Sequence, residues 1–176
     1  MSGWPALWAA RPQSDKAFVT GRRRLGLVAL AVALGTGGHA RAVHAGPSYR
    51  SPINVAFSPN GLLVAAADPT WGGVVIIDPR ARSVLRDISL NGADPAYVVW
   101  NGDERILVSE GMRGTVAEVD VRDGTVLRRF PAARRASGLA MTSDGKRLLV
   151  CDRGLNRVAF VDLSRGDVTN RVEVVR

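Results

Sequence analysis

The sequence predicts an all-β fold made of three copies of one four-stranded unit, and three observations predict it. Asp78, Asp120 and Asp162 stand 42 residues apart, and so do Asp68, Glu110 and Asp152. Fixed self-similarity at this period marks a repeat architecture. Each copy also carries a turn pair (Asn60-Gly61, Asn101-Gly102, Asp144-Gly145), spaced 41 and 43 residues because the middle copy's turn is one residue longer. After residue 50, finally, no segment shows the apolar period near 3.6 that an amphipathic helix requires.

The copies span about 52–90, 95–131 and 137–175, and each reads strand by strand. Ile53, Val55 and Phe57, like Leu139 and Met141, alternate with smaller or polar neighbours, which suits a short first strand. The Asn-Gly or Asp-Gly pair then supplies the positive φ angles of a tight hairpin. A more continuous apolar run follows at 62–67, 105–109 and 147–151. A variable loop leads into a third, β-branched run at 74–77, 116–119 and 158–161. That run stops at Asp78, Asp120 or Asp162, where a carboxylate can accept hydrogen bonds from turn backbone. A four-residue turn opens a fourth strand, for example at 125–130. Four short strands per repeat of roughly 40 to 50 residues is the arithmetic of a β-propeller blade.

The copies resemble YVTN-type β-propeller repeats, relatives in shape of the WD-repeat blades. The resemblance rests on the stretch Ser143-Asp144-Gly145-Lys146-Arg147-Leu148-Leu149-Val150-Cys151-Asp152 followed by Asn156-Arg157-Val158-Ala159-Phe160-Val161-Asp162, and it covers about three quarters of the chain. Where the family ends its second strand on Tyr-Val-Thr-Asn, this chain has Leu107-Val108-Ser109-Glu110 and Leu149-Val150-Cys151-Asp152. The resemblance is specific for fold and weak for function, since propellers host binding platforms, scaffolds and enzymes alike.

Residues 1–45 are a different kind of sequence. Arg22-Arg23-Arg24 precede an uninterrupted apolar run of ten, 25–34, and Ala40-Arg41-Ala42 and Val43-His44-Ala45 offer small residues spaced for signal peptidase. This order reads as a secretory signal peptide cleaved near Ala42 or Ala45, which predicts a periplasmic or secreted protein. The run is far short of the ~20 residues of a permanent membrane helix. Residues 1–18 make a long lead-in, so a start nearer Val19 is the alternative. A twin-arginine reading matches only loosely, because Gly26 stands where an apolar residue is expected, and the Sec route fits better.

The chain carries a formal charge of +8, but residues 1–45 hold six Lys/Arg and one acid, which leaves 18 basic and 15 acidic residues from Gly46 onward. These are interleaved, and the arginine pairs Arg128-Arg129 and Arg134-Arg135 suit turns or strand edges. No basic stripe with stacking aromatics is visible, so nucleic acid is not an expected partner. Both histidines, His39 and His44, lie in the leader, and Cys151 is the only cysteine. The remainder of the chain therefore lacks Ser/His/Asp chemistry, histidine ligation of metal or haem, an intramolecular disulfide and a Cys-x-x-Cys site. Neither a cofactor nor a metal is expected. Cys151, inside an apolar strand, is expected to be a small buried hydrophobe.

Asp68, Glu110 and Asp152 end the second strands and begin the variable loops. Each can cap its own loop; stacked around one end of a propeller they can instead form a carboxylate ring for a cation such as calcium, though no calcium-loop spacing is present. The following loops carry the distinctive side chains Trp71, Arg113 and Arg153, candidates for contact with a partner. The alternative is ordinary loop composition, with Trp71 folded over a neighbouring blade. Trp100, in a strand, is expected in the core.

Closed propellers typically use four to eight blades, so three predict either a fragment of a six- to eight-bladed protein or two copies that close a ring, the first being the better fit. The resemblance implies an exported, non-enzymatic binding or scaffold module of the periplasm or cell envelope, possible company for quinone-dependent alcohol oxidation. Two other functions are implied by relatives. One is a propeller enzyme, lactonase-like or cytochrome-type nitrite-reductase-like, whose metal or haem ligands would lie in further blades. The other is a surface adhesion protein. Neither a protein nor a small-molecule ligand can be named from these residues.

Overall fold

The computed structural model describes residues 49–174. The expected leader, with its cleavage positions Ala42 and Ala45, lies outside the described residues. Among the described residues twelve strands form three antiparallel sheets of four, each a meander in which strands pair in chain order. The first blade holds β1 (Asn54–Phe57), β2 (Val64–Asp68), β3 (Gly73–Asp78) and β4 (Ser83–Ser89). The second holds β5 (Pro95–Asn101), β6 (Arg105–Glu110), β7 (Thr115–Asp120) and β8 (Val126–Pro131). The third holds β9 (Ala136–Met141), β10 (Arg147–Asp152), β11 (Arg157–Asp162) and β12 (Asp167–Glu173). These are the blades of a β-propeller, and the three do not close into a ring. Among the described residues, no helix is long and apolar enough to cross a membrane.

The blades stack through two cores, one at each seam. Ala65, Ala67, Val74, Ile76 and Ile88 of the first blade meet Val98, Trp100, Ile106, Val108, Ala117 and Val119 of the second. One residue along the same strands, Leu107 and Val116, with Phe130, face Leu148, Val150, Ala159 and Val161 of the third. Alternation in a strand sends neighbours to opposite faces, so the middle sheet is apolar on both sides and β6 and β7 read as near-continuous hydrophobic runs. Trp100 is in the core as expected, 8 % exposed, and its indole N–H donates to Ala56 O at 2.8 Å.

Polar straps repeat at the seams. At the inner edge Val98 N–H donates to Asn54 Oδ1 at 2.9 Å. At the outer edge Arg86 donates to Arg122 O at 2.8 Å, and Arg128, one repeat on, donates to Leu163 O. Arg128 is held by Glu118 at 2.6 Å, and that carboxylate is buried between the second and third sheets. In the third blade the same position is Asn170.

Two expectations need correction. Cys151 is exposed, not buried. Its strand neighbours Val150 and Asp152 point into the seam with the second blade, so strict alternation turns Cys151 to the outer face of the third sheet. The first hairpin of each blade is also not a two-residue turn with two left-handed residues. Only the glycines Gly61, Gly102 and Gly145 have positive φ. Ser58 N–H reaches Leu63 O at 2.9 Å and Thr142 N–H reaches Arg147 O at 3.0 Å, which makes a longer loop with the left-handed glycine Gly61 or Gly145 inside it. The turns after β3, β7 and β11 behave as expected. Asp78 accepts from Arg80 and Ala81 N–H, Asp120 from Arg122 N–H, and Asp162 from Ser164 N–H, at 2.8–2.9 Å.

Candidate functional site

The loops between the second and third strands and the connections between blades gather at one end of the sheets. Hydrogen bonds tie them together. Leu90 N–H donates to Gly72 O, Gly111 N–H to Asp94 O, Ala132 N–H to Gly114 O and Arg153 N–H to Arg135 O, each at 3.0 Å. Met112 N–H adds a bond to the Asp94 carboxylate at 2.8 Å. Gly114 has φ +68°, and a Cβ there would lie 2.2 Å from Ala133 O, so only glycine lets the connection approach. The result is a platform in which each loop is fixed by the segment that enters its own or the following blade.

Asp68, Glu110 and Asp152 lie beneath this platform, each at most 2 % exposed. Asp68 Oδ1 accepts from Ser51, Thr70 and Trp71 N–H at 3.0–3.2 Å, and Asp152 Oδ1 accepts from Arg135 and Gly154 N–H at 3.2 and 3.1 Å. Those two cap their own loops. Glu110, one methylene longer, reaches sideways instead: Arg129 Nε donates at 2.9 Å, Thr115 Oγ1 at 2.5 Å, and Arg113 stands 3.6 Å away. Burial pushes the Asp152 carboxyl up, but backbone N–H donors on Arg134, Arg135 and Gly154, with the Arg157 guanidinium, outweigh it and hold it below the usual carboxylate range. Among the described residues, no three His, Cys, Asp or Glu side chains come together as a metal-binding group.

The second oxygen of each carboxylate depends on the residue five positions later, which is Gly73, Thr115 or Arg157. Arg157 Nε donates to Asp152 Oδ2 at 3.1 Å, Thr115 serves Glu110, and Gly73 offers nothing. Asp68 Oδ2 accordingly has no hydrogen-bond partner among the described residues. The Trp71 ring fills the place of the missing side chain, since a Cβ on Gly73 would lie 2.2 Å from its Cζ3. Trp71 thus packs on its own blade, half-buried, with the Arg50 guanidinium 4.4 Å from its ring centroid and that arginine paired with Asp87 at 2.5 Å.

Of the three loop candidates, Arg113 donates to Asn91 O at 2.8 Å and so braces the connection before it. Arg153 is exposed at the platform surface, as is Met112, 67 % exposed. Single-chain reading missed Asp94, Arg129 and Arg157, which orient the loops and their carboxylates. Their signal lies in lining the repeats up and asking which position departs from its equivalents.

Comparison with family models and with curated protein sequences finds no match. Among solved structures the chain is similar to one titled Kuenenia stuttgartiensis hydrazine synthase, with a TM-score of 0.67 and 18 % identity. The alignment covers 78 % of this chain and 40 % of that one, so the chain spans well under half the length of this neighbour. At this identity the likeness speaks for the propeller fold alone.

Proposed function

We propose that this chain is a non-enzymatic binding or scaffold module of the YVTN propeller type, exported to the periplasm or cell envelope. The observation that carries the reading is the cross-tied loop platform. Its backbone donors and acceptors hold the loops in place, and its outward side chains are Met112, whose Sδ accepts from Arg135 Nη2 at 3.1 Å, exposed Arg153 and the Trp71–Arg50 stack. Rigid loops that present exposed apolar and arginine side chains suit partner contact without ordering cost. The buried carboxylates, for their part, face backbone and arginine donors rather than one another, which supports binding over acid–base chemistry. Export rests on the basic and apolar leader followed by small residues.

The test is site-specific photocrosslinking in cells that make the protein, with the crosslinker at Met112 or at Ser164 of the opposite turns. Partner adducts are expected from Met112 and not from Ser164. Adducts from neither position, or equally from both, overturn the platform reading.

A further inference from the structure

We infer that the seam between the second and third blades carries a binding site for a small molecule with two or more oxyanion groups, carboxylate or phosphate. A groove of about 830 Å³ runs there between the end of β8 and β12. Four arginines line it, Arg134, Arg157, Arg165 and Arg171, against a single carboxylate, Asp167. Arg165 and Asp167 pair at 3.3 Å, both largely exposed. The other three are not neutralised within the groove. Arg157 is anchored from behind, its Nε on buried Asp152, which leaves its Nη groups without a hydrogen-bond partner among the described residues. Glu173, its register partner on β12, makes no ion pair with it. The guanidinium groups of Arg134 and Arg171 have no ion-pair or hydrogen-bond partner among the described residues.

The seam one blade earlier shows that this excess is particular to the site rather than a property of the repeat. There the equivalent of Arg171 is Arg129, which is committed to Glu110 at 2.9 Å and to Leu90 O at 3.3 Å. The equivalent of Arg157 is Thr115, and the equivalent of Arg134 is Gly92. Shortening the buried acid from Glu110 to Asp152 and placing Arg157 upon it displaces the outer-strand arginine from its usual partner. Arg134 then adds a third guanidinium in a position where the earlier seam has no side chain. Planar guanidinium groups, one of them fixed in orientation by a buried carboxylate, match oxyanions through paired N–H donors. Two or more oxyanions on one ligand engage them together, whereas a single carboxylate engages one.

The test is calorimetric titration of the full chain at constant ionic strength with citrate, inorganic triphosphate and, as the singly charged comparison, acetate. Saturable one-to-one binding of citrate or triphosphate is expected, with acetate showing none. Whichever of the two binds more tightly assigns the oxyanion as carboxylate or phosphate. An Arg134→Gln/Arg171→Gln double variant is expected to bind at least about tenfold more weakly. An Arg80→Gln/Arg82→Gln variant removes the same charge from an exposed turn far along the chain and is expected to bind unchanged. Circular dichroism checks that both pairs fold. Absence of saturable binding by wild type overturns the inference, as does equal weakening in the two variants, which would reduce the effect to net charge. Platform and groove stand or fall separately, since the Met112 crosslink reads protein adducts and the titration reads a small anion.

Discussion

At the scale of single residues the most telling groups are aspartates that serve backbone. Asp120 is held below the usual carboxylate range by the Arg122 side chain, Asp162 by the Ser164 hydroxyl and N–H, and Asp144 by the Thr142 hydroxyl and Lys146 N–H. Asp152 is held down too, against its own burial. A carboxyl whose folded pKa lies below its unfolded value near 3.8 stabilises the native state in its charged form. That contribution is complete above the unfolded value and is lost as pH falls through the folded one. The urea midpoint of the chain is therefore expected to be level from about pH 7 to pH 5 and to drop steadily between about pH 4 and pH 2. Asp162→Asn, at an exposed turn, is expected to leave the fold intact and make that drop shallower. A midpoint that stays level or rises in acid would contradict these assignments. The three repeated turn aspartates were legible in the chain because an acid at a strand end has one main use, capping the turn that follows. The pairing of Glu110 with Arg129 was not, because it joins β6 to β8 and depends on which faces the sheets turn to each other.

At the scale of elements, the blade is a unit whose equivalent positions diverge, and the divergence sets local structure. Position 73 shows this most clearly. Gly73 makes room for the Trp71 ring in the place where Arg157 sits in the third blade, and a Cβ there would also approach Ile88 O to 2.4 Å. One obstacle is backbone of the paired strand β4, which cannot turn aside as a side chain end can. Gly73→Ala is expected to cost about 1–3 kcal/mol by overpacking and to lift Trp71 from its seat. Gly61→Ala is the comparison. With nothing within 4 Å of the new methyl, it carries the strain of φ +67° alone, about 1 kcal/mol. Urea unfolding with tryptophan emission separates the two. A Gly73→Ala cost no greater than that of Gly61→Ala, with unchanged emission, would sink the packing account. The strand pattern itself was readable, since β-branched runs bounded by Asp and Gly leave few other solutions. What periodicity could not say was which face of a terminal blade finds a neighbour. Cys151 was misplaced for that reason: its equivalents Ala67 and Ser109 are fully buried at their seams, while its own face has no blade upon it.

At the scale of the whole molecule the outer faces of the first and third sheets decide behaviour in water. Val55 and Phe57 are 62 % and 64 % exposed on β1, and Val84 on β4 is 58 % exposed. In the second blade the equivalent of Phe57 by strand register is Trp100, which is buried in the core of the seam with the preceding blade. The first sheet thus presents side chains of seam type with no described blade covering them, and Cys151 and Val172 do the same on the third. Contiguous apolar faces of this kind are sites of association. Purified full-length chain is expected to self-associate in reducing buffer, measured by sedimentation velocity across a wide concentration range. Covering a Val and a Phe side chain contributes roughly 1.5–3 kcal/mol each when complete, and these two begin only partly exposed. A Val55→Lys/Phe57→Lys variant is accordingly expected to weaken association by about a hundredfold. Because both positions already face solvent, the variant should keep the strand content of wild type by circular dichroism. A wild-type chain that sediments as one monomeric species at every concentration, unfolding sharply, would mean that these faces are satisfied within a single chain and that ring closure by further blades or a second copy is not required.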